Sequence, residues 1–229
     1  MHKKALTLLN TYNVLVVEDD EIAREMIKQG LKKHFESFYE AGDGLEGLEQ
    51  FKKHRIDLIV TDIHLPSLNG LEMVKEILTL KPNQLFLVMT SFDTDENILK
   101  SMRKGACQFL SKPIDINDLQ TALLISSSRL QQEPTKLSKS ITVDTRKEVI
   151  LKNGEPIFLS YKQNKIFWLL YYNLSRLVTY EMFEDYVHEN ESINKSVLHV
   201  AILRIKQALE GIEIKNIVNM GYVMQEGQD

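Results

Sequence analysis

The first half of the chain alternates short unbroken apolar runs with longer stretches in which apolar residues recur every three or four positions. Val14-Leu15-Val16-Val17, Leu58-Ile59-Val60-Thr61 and Leu85 to Met89 lack a polar alternate, the pattern of strands covered on both faces. Phe38-Tyr39-Glu40-Ala41 and Gln108-Phe109-Leu110 read as two further short strands. The segment from Glu21 to Phe35 places Ile22, Met26, Ile27 and Leu31 at helical spacing. Gly44 to Lys53, Gly70 to Leu80, Asp95 to Lys104 and Ile116 to Leu130 complete a set of five helices, the third stopped by Pro82 and the fourth followed by Gly105. Repeated strand–helix units of this kind predict a parallel five-stranded sheet with right-handed crossovers and helices on both faces.

The pattern then changes. Ser126 to Ser140 is polar and contains Pro134, so 127–137 reads as a linker between a domain at 11–126 and another at 138–229. Strands are expected at Ile141-Thr142-Val143 and Val149-Ile150-Leu151. Asn153-Gly154 signals a tight hairpin returning through Ile157-Phe158-Leu159. Ser160 with Gln163 fits a capping box before a helix carrying Trp168, Tyr171 and Tyr172, which read as packing residues. Thr179 and Asn194 are candidate caps of two more helices, the last ending near Leu209 and closed by Gly211. Ile217 to Val223 reads as a terminal hairpin, with Asn219 at a tip that tolerates a left-handed backbone.

Length and composition support this division. A chain of 229 residues suits two domains, and 43% hydrophobic with 26% charged residues is an ordinary globular balance. The one cysteine, Cys107, excludes an internal disulfide and a cysteine-based zinc cluster, which favours a cytoplasmic setting. The apolar stretch near Leu6 is short for a secretory signal, and no run is long enough to span a membrane. Net charge is −4: residues 1–130 carry 16 basic and 19 acidic residues, and the remainder 12 and 13. Any nucleic-acid contact must therefore come from a local basic face.

Ligands of open parallel sheets gather at the carboxyl ends of the strands. Glu18 and Asp19 end the first strand, Asp62 the third, Thr90 the fourth, and Lys112 follows the fifth. Such crowded acids call for a cation, and hard carboxylate oxygens suit Mg²⁺. Asp62 is the candidate nucleophile for an acyl phosphate, Glu18 and Asp19 the metal pair, and Lys112 and Thr90 the partners of phosphoryl oxygens.

Val16-Val17-Glu18-Asp19-Asp20, Thr61-Asp62-Ile63-His64-Leu65-Pro66 with Asn69-Gly70, Met89-Thr90-Ser91, and Phe109-Leu110-Ser111-Lys112-Pro113 together resemble the receiver domain of two-component response regulators. The resemblance implies a flavodoxin-like fold, Mg²⁺, a sensor histidine kinase as phosphoryl donor and Asp62 as acceptor. It adds the backbone carbonyl of His64 as a metal ligand and Phe109 as the switch aromatic, in place of a commoner tyrosine.

The second half resembles the effector domain of the OmpR/PhoB family through Leu159-Ser160-x-x-Gln163, Leu177-Val178-Thr179, Val197-Leu198-His199-Val200-x-x-Leu203-Arg204-x-Lys206 and Met220-Gly221-Tyr222. That implies an α+β winged helix reading double-stranded DNA, with RNA polymerase as a further partner and a homodimer on activation. From Lys195 to Ala208 there are three cations, Lys195, Arg204 and Lys206, with His199 and no acid. These four, with Asn219 on the wing, are the expected DNA contacts, while Leu198, Ile202 and Ile205 form an inward stripe. The sequence departs from the family at Val218, where an arginine is usual, and at Cys107, Gln108 and Ala122, where charged dimer contacts are usual. The expected function is transcription regulation by a phosphorylated DNA-binding protein, not an enzyme in its own right. The alternative is an adaptor or phosphate sink whose winged helix binds protein.

Overall fold

The computed structural model describes residues 6–91, 107–130, 134–145, 147–187 and 194–225. The chain forms two compact units, Met1–Gln131 and Gln132–Asp229.

The first unit is built on five parallel strands, β1 (Asn13–Val17), β2 (Ser37–Ala41), β3 (Leu58–Asp62), β4 (Leu85–Thr90) and β5 (Cys107–Ser111), in the spatial order β2-β1-β3-β4-β5. Every residue of β1, β3 and β4 is buried, which accounts for their unbroken apolar runs. The described helices are α1 (Glu21–Leu31), α2 (Gly44–Lys53), α3 (Gly70–Leu80) and α4 (Ile116–Ser127). The helix expected at Asp95–Lys104 lies outside the described residues. Two helices are shorter than their apolar periodicity suggested: α1 and α4 each tighten into a 3-10 turn, at Lys32–His34 and Ser128–Leu130. Asp20, Asp43, Asn69 and Asp115 cap the four helices through side-chain bonds to free backbone N–H groups.

The core reaches upstream of residue 11. A 3-10 segment, Leu6–Thr11, sets Leu6, Leu9 and Tyr12 against Leu31, Phe35, Leu119 and Leu123. At the opposite, amino-terminal edge of the sheet, Asp57 accepts from the Asn13 backbone N–H at 2.8 Å and from Arg55 at 3.0 Å. Gln84 donates to the Asp57 carbonyl at 2.9 Å, so one polar cluster ties together the starts of β1, β3 and β4.

The second unit opens with a four-stranded antiparallel sheet, β6 (Thr135–Lys136), β7 (Ile141–Asp144), β8 (Val149–Lys152) and β9 (Glu155–Ile157). The span 127–137 is thus built into elements at both ends, α4 and its 3-10 turn on one side and β6 on the other, with Leu137 buried. Asn153 and Gly154 have φ of 53° and 88°, the geometry of a two-residue hairpin turn. That turn pairs Lys152 with Glu155 and Ile150 with Ile157. The return strand therefore ends at Ile157, two residues before the sequence-based expectation, and Phe158 is 91% exposed.

Three helices follow: α5 (Tyr161–Tyr172), α6 (Tyr180–Val187) and α7 (Lys195–Ala208). The capping box at Ser160 and Gln163 is present, and Asn194 caps α7 by accepting from the Ser196 N–H. Trp168 and Tyr171 are buried as expected of packing residues, and so are Leu198, Ile202 and Ile205 on α7. A three-stranded sheet closes the unit, β10 (Val178–Thr179) pairing with β12 (Gly221–Gln225), which pairs with β11 (Glu213–Ile217). The terminal hairpin is longer than Ile217–Val223 because β11 starts at Glu213. Gly221 has a φ of 151°, and a Cβ there would lie 1.9 Å from the Val178 carbonyl oxygen, so only glycine lets β10 close on β12.

Candidate phosphoacceptor pocket and nucleic-acid face

The sequence-expected pocket residues meet at the carboxyl edge of the first sheet. Glu18 follows β1 and is 1% exposed, and Asp62 ends β3 at 6%. Carboxylate oxygens of Glu18, Asp19 and Asp62 all lie within 4.8 Å of one another. Lys112, after β5, reaches back between two of them: its Nζ is 2.9 Å from Glu18 Oε2 and 2.5 Å from Asp62 Oδ2. Its peptide bond to Pro113 is cis.

Electrostatics follow from this crowding. Burial pushes the Glu18 carboxyl above the usual carboxylate range, although Lys112 pulls the other way. Burial works to lower the Lys112 pKa, but its bonds to Asp62 and Glu18 outweigh that and hold the ammonium more firmly protonated than usual. Asp20, the third acid of the run, serves as the α1 cap, and its bonds from the Ala23 and Ile22 N–H groups hold its carboxyl low. A compact set of hard carboxylate oxygens, one of them buried and raised, fits a small divalent cation.

The surrounding chain shapes the pocket. Gly70 opens α3 so close to β3 that a Cβ would sit 1.9 Å from the Asp62 carbonyl oxygen. The Asp62 side chain accepts from the His64 N–H at 3.2 Å. Thr90 is 7% exposed and its hydroxyl donates to the Ser91 carbonyl at 2.9 Å. Phe109 is half-buried on β5, opposite Val88 of β4. Arg24, which sequence reasoning passed over, donates from α1 to the Glu18 carbonyl and so pins the loop bearing Glu18 and Asp19. Its helical position one turn past Asp20 was the available signal.

The second unit presents α7 and the β11–β12 hairpin. Lys195, His199, Arg204 and Lys206 are all exposed, yet three of them are held. Lys195 lies 4.5 Å over the Tyr180 ring, His199 Nδ1 is 3.2 Å from the Tyr222 hydroxyl, and Lys206 donates to the Ile214 carbonyl at 3.4 Å. Arg204 has no ion-pair partner among the described residues. Asn219 sits at the hairpin tip with a φ of 60°, the left-handed conformation its side chain tolerates. The aliphatic residues outside the inward stripe are exposed: Val197, Val200 and Leu203 on α7 at 55%, 46% and 44%, and Val218 on the hairpin at 76%.

A parallel sheet with an acid-and-lysine pocket at its carboxyl edge, followed by strands, three helices and a terminal hairpin, defines a receiver domain joined to a winged helix. The family described as the response regulator receiver domain matches residues 14–124. The chain is 27% identical over 226 residues to the uncharacterized transcriptional regulatory protein YcbL of Bacillus subtilis strain 168, covering 93% of this chain and 100% of that one. It is 25% identical over 217 residues to the response regulator ArlR of Staphylococcus aureus strain Mu50, covering 93% and 99%. Among solved structures, the response regulator DrrB of Thermotoga maritima, an OmpR/PhoB homolog, is similar over 93% of this chain and 99% of that one, with 22% identity and a TM-score of 0.46. Residues 14–124 are thus a receiver domain of the two-component response regulator type, and a winged helix follows it in the chain. No described helix is long and apolar enough to cross a membrane.

Proposed function

We propose that this response regulator accepts a phosphoryl group on Asp62 from the phosphohistidine of a sensor kinase and that the acyl phosphate governs DNA binding by α7 and the β11–β12 hairpin. The observation that carries the acceptor assignment is Lys112 Nζ bonded to both Glu18 and Asp62, with Asp19 alongside. A surface carboxylate would not be held in this way. Asp62 Oδ attacks the phosphorus, the phosphorus–nitrogen bond breaks, and its electron pair returns to the donor imidazole. Glu18, Asp19, the Asp62 carboxylate and the His64 carbonyl would hold Mg²⁺, which supplies positive charge to the phosphoryl oxygens. Lys112 must then exchange an Asp62 oxygen for a phosphoryl oxygen, and the Thr90 hydroxyl must leave the Ser91 carbonyl to donate to another. The donor must approach the pocket mouth beside α1, where Ile22 and Met26 are 76% and 56% exposed and offer it an apolar seat.

The receiver's part in its own phosphorylation and dephosphorylation is limited to this pocket, and the chain works in the cytoplasm, where its kinase and operator are reached. RNA polymerase and a second copy on activation are further partners of the same reading. Gln108, where the family places an acid, instead accepts from the Ser126 hydroxyl at 3.0 Å, so any such dimer uses other contacts. The test is Asp62→Asn with acetyl phosphate as donor. Uptake is expected to fall to background with an unchanged circular dichroism spectrum, and chelating Mg²⁺ should stop the wild type equally. Uptake at the wild-type rate would refute the assignment.

A further inference from the structure

Helix α7 does not carry the uniformly polar outer face that phosphate binding alone would require. Its buried side is Leu198, Ile202 and Ile205. On the far side two rows run along the helix at i, i+4 spacing, Ser196–Val200–Arg204 and His199–Leu203–Gln207. Every residue in both rows is exposed, with Val200 at 46% and Leu203 at 44%. Each aliphatic side chain is therefore flanked, one turn above and below, by groups that can donate or accept hydrogen bonds. Val197, 55% exposed, adds a third aliphatic group on one flank.

A protein-docking face would gather its aliphatic residues into one patch with a polar rim. Here Val197, Val200 and Leu203 form only a narrow ridge at i, i+3 spacing, bordered by Ser196, His199, Arg204 and Gln207, and the helix carries Lys195, His199, Arg204 and Lys206 with no acid between Lys195 and Ala208. That charge is complementary to a polyanion. The major groove of DNA alternates hydrogen-bonding base edges with one apolar feature, the C5-methyl group of thymine.

We propose that Val200 and Leu203, with Val197 at the flank, are specificity-determining contacts that read thymine methyl groups, so that the operator carries thymines in the major groove opposite the middle of α7. This inference rests on the DNA-binding reading above and goes beyond it by naming what is read. Arg204, without an ion-pair partner among the described residues, would take a neighbouring guanine or phosphate. His199 is tied at Nδ1 to Tyr222, which leaves its Nε2 to face the groove.

The experiment selects duplexes from a random pool with the full-length, acetyl-phosphate-treated protein, then replaces each thymine of the enriched sequence by deoxyuridine. Deoxyuridine pairs identically and lacks only the methyl group. Two or three positions should each lose about fourfold in affinity, the effect of exposing one buried methyl. Val200→Ala should abolish the sensitivity at one of them and Leu203→Ala at another, a direct double-mutant cycle. Both side chains are exposed, so neither variant should alter the melting temperature. Deoxyuridine tolerated at every position would overturn the proposal while leaving DNA binding intact. Failure to enrich any duplex would instead refute the DNA-binding reading beneath it. Undiminished duplex affinity in both variants together with lost self-association in sedimentation would overturn it too, by making this face a contact between copies of the chain.

Discussion

Glu18 concentrates the tension of the pocket in one side chain. It is 1% exposed, and burial raises its carboxyl above the ordinary value of 4.5 even with Lys112 at 2.9 Å. The folded protein thus holds this proton more tightly than the unfolded chain does. Its contribution to stability is favourable at low pH and is lost as pH rises from about 4.5 through the raised folded value. Glu18→Gln removes the charge, so the metal-free protein should lose that part of its pH slope and melt higher near neutral pH. The same variant should lose most of the melting-temperature gain that added Mg²⁺ gives the wild type. Parallel melts with and without Mg²⁺ at mildly acidic and mildly alkaline pH measure both effects. An unchanged Mg²⁺ response would remove Glu18 from the ligand set.

Among the elements, α4 and the terminal hairpin depend most on single positions. Helix α4 begins three residues past Pro113, and Asp115 caps it by accepting from the Asn117 and Asp118 N–H groups at 2.7 Å and 3.3 Å. Those bonds hold the Asp115 carboxyl below its usual range. The stability they give is present above about pH 3.8 and is lost as pH falls through the lower folded value. Asp115→Ala should lower the melting temperature at neutral pH and weaken the acid dependence. Asp115→Asn should keep the cap and lose only the acid dependence. In the hairpin, Val218 is 76% exposed and so does not pack into the domain. Arginine is therefore tolerated there without loss of fold. Val218→Arg should tighten binding to A·T-rich DNA and steepen the logarithmic salt slope by about one unit, one added phosphate neutralised. A titration across salt concentrations decides it, and weaker binding with an intact melt would remove the hairpin from the minor groove.

At the scale of the whole molecule, the proposed phosphorylation of Asp62 has to act on the second unit. Thr90 and Phe109 stand on adjacent strands, and β4 and β5 pair in parallel with Val88 opposite Phe109. Under the proposed phosphorylation, a Thr90 hydroxyl drawn inward by an acyl phosphate on Asp62 would vacate space for the half-buried Phe109 ring, a shift between two packings. Phe109→Ala should leave phosphoryl uptake near the wild-type rate while bringing the DNA affinities of the two forms close together. Truncating the ring should cost no more than about 3 kcal/mol, since the side chain is only partly covered. If the variant keeps the wild-type ratio of affinities, coupling runs through other residues.

The sequence by itself determined both architectures and most of the pocket. Unbroken apolar strands, helical periodicity and capping residues are local signals, and Glu18, Asp19, Asp62, Thr90 and Lys112 are legible because sheet topology alone sends the ends of parallel strands to one edge. The hairpin at Asn153-Gly154 was equally local, but its register was not. The positive φ angles of the turn fixed which residues pair, and so left Phe158 outside the strand. Tertiary structure alone decided what depends on contacts distant in sequence. Leu6 and Leu9 become core because Leu119 and Leu123 cover them. Lys195, His199 and Lys206 are held by Tyr180, Tyr222 and the Ile214 carbonyl, while Arg204 has no ion-pair partner among the described residues. On α7 the spacing of Leu198, Ile202 and Ile205 already set Val200 and Leu203 on the other side of the helix, but hydrophobicity states what a side chain prefers and not what is available to cover it. Only the packed domain, with Leu198, Ile202 and Ile205 filling its interior, shows that Val200 and Leu203 stay 46% and 44% exposed.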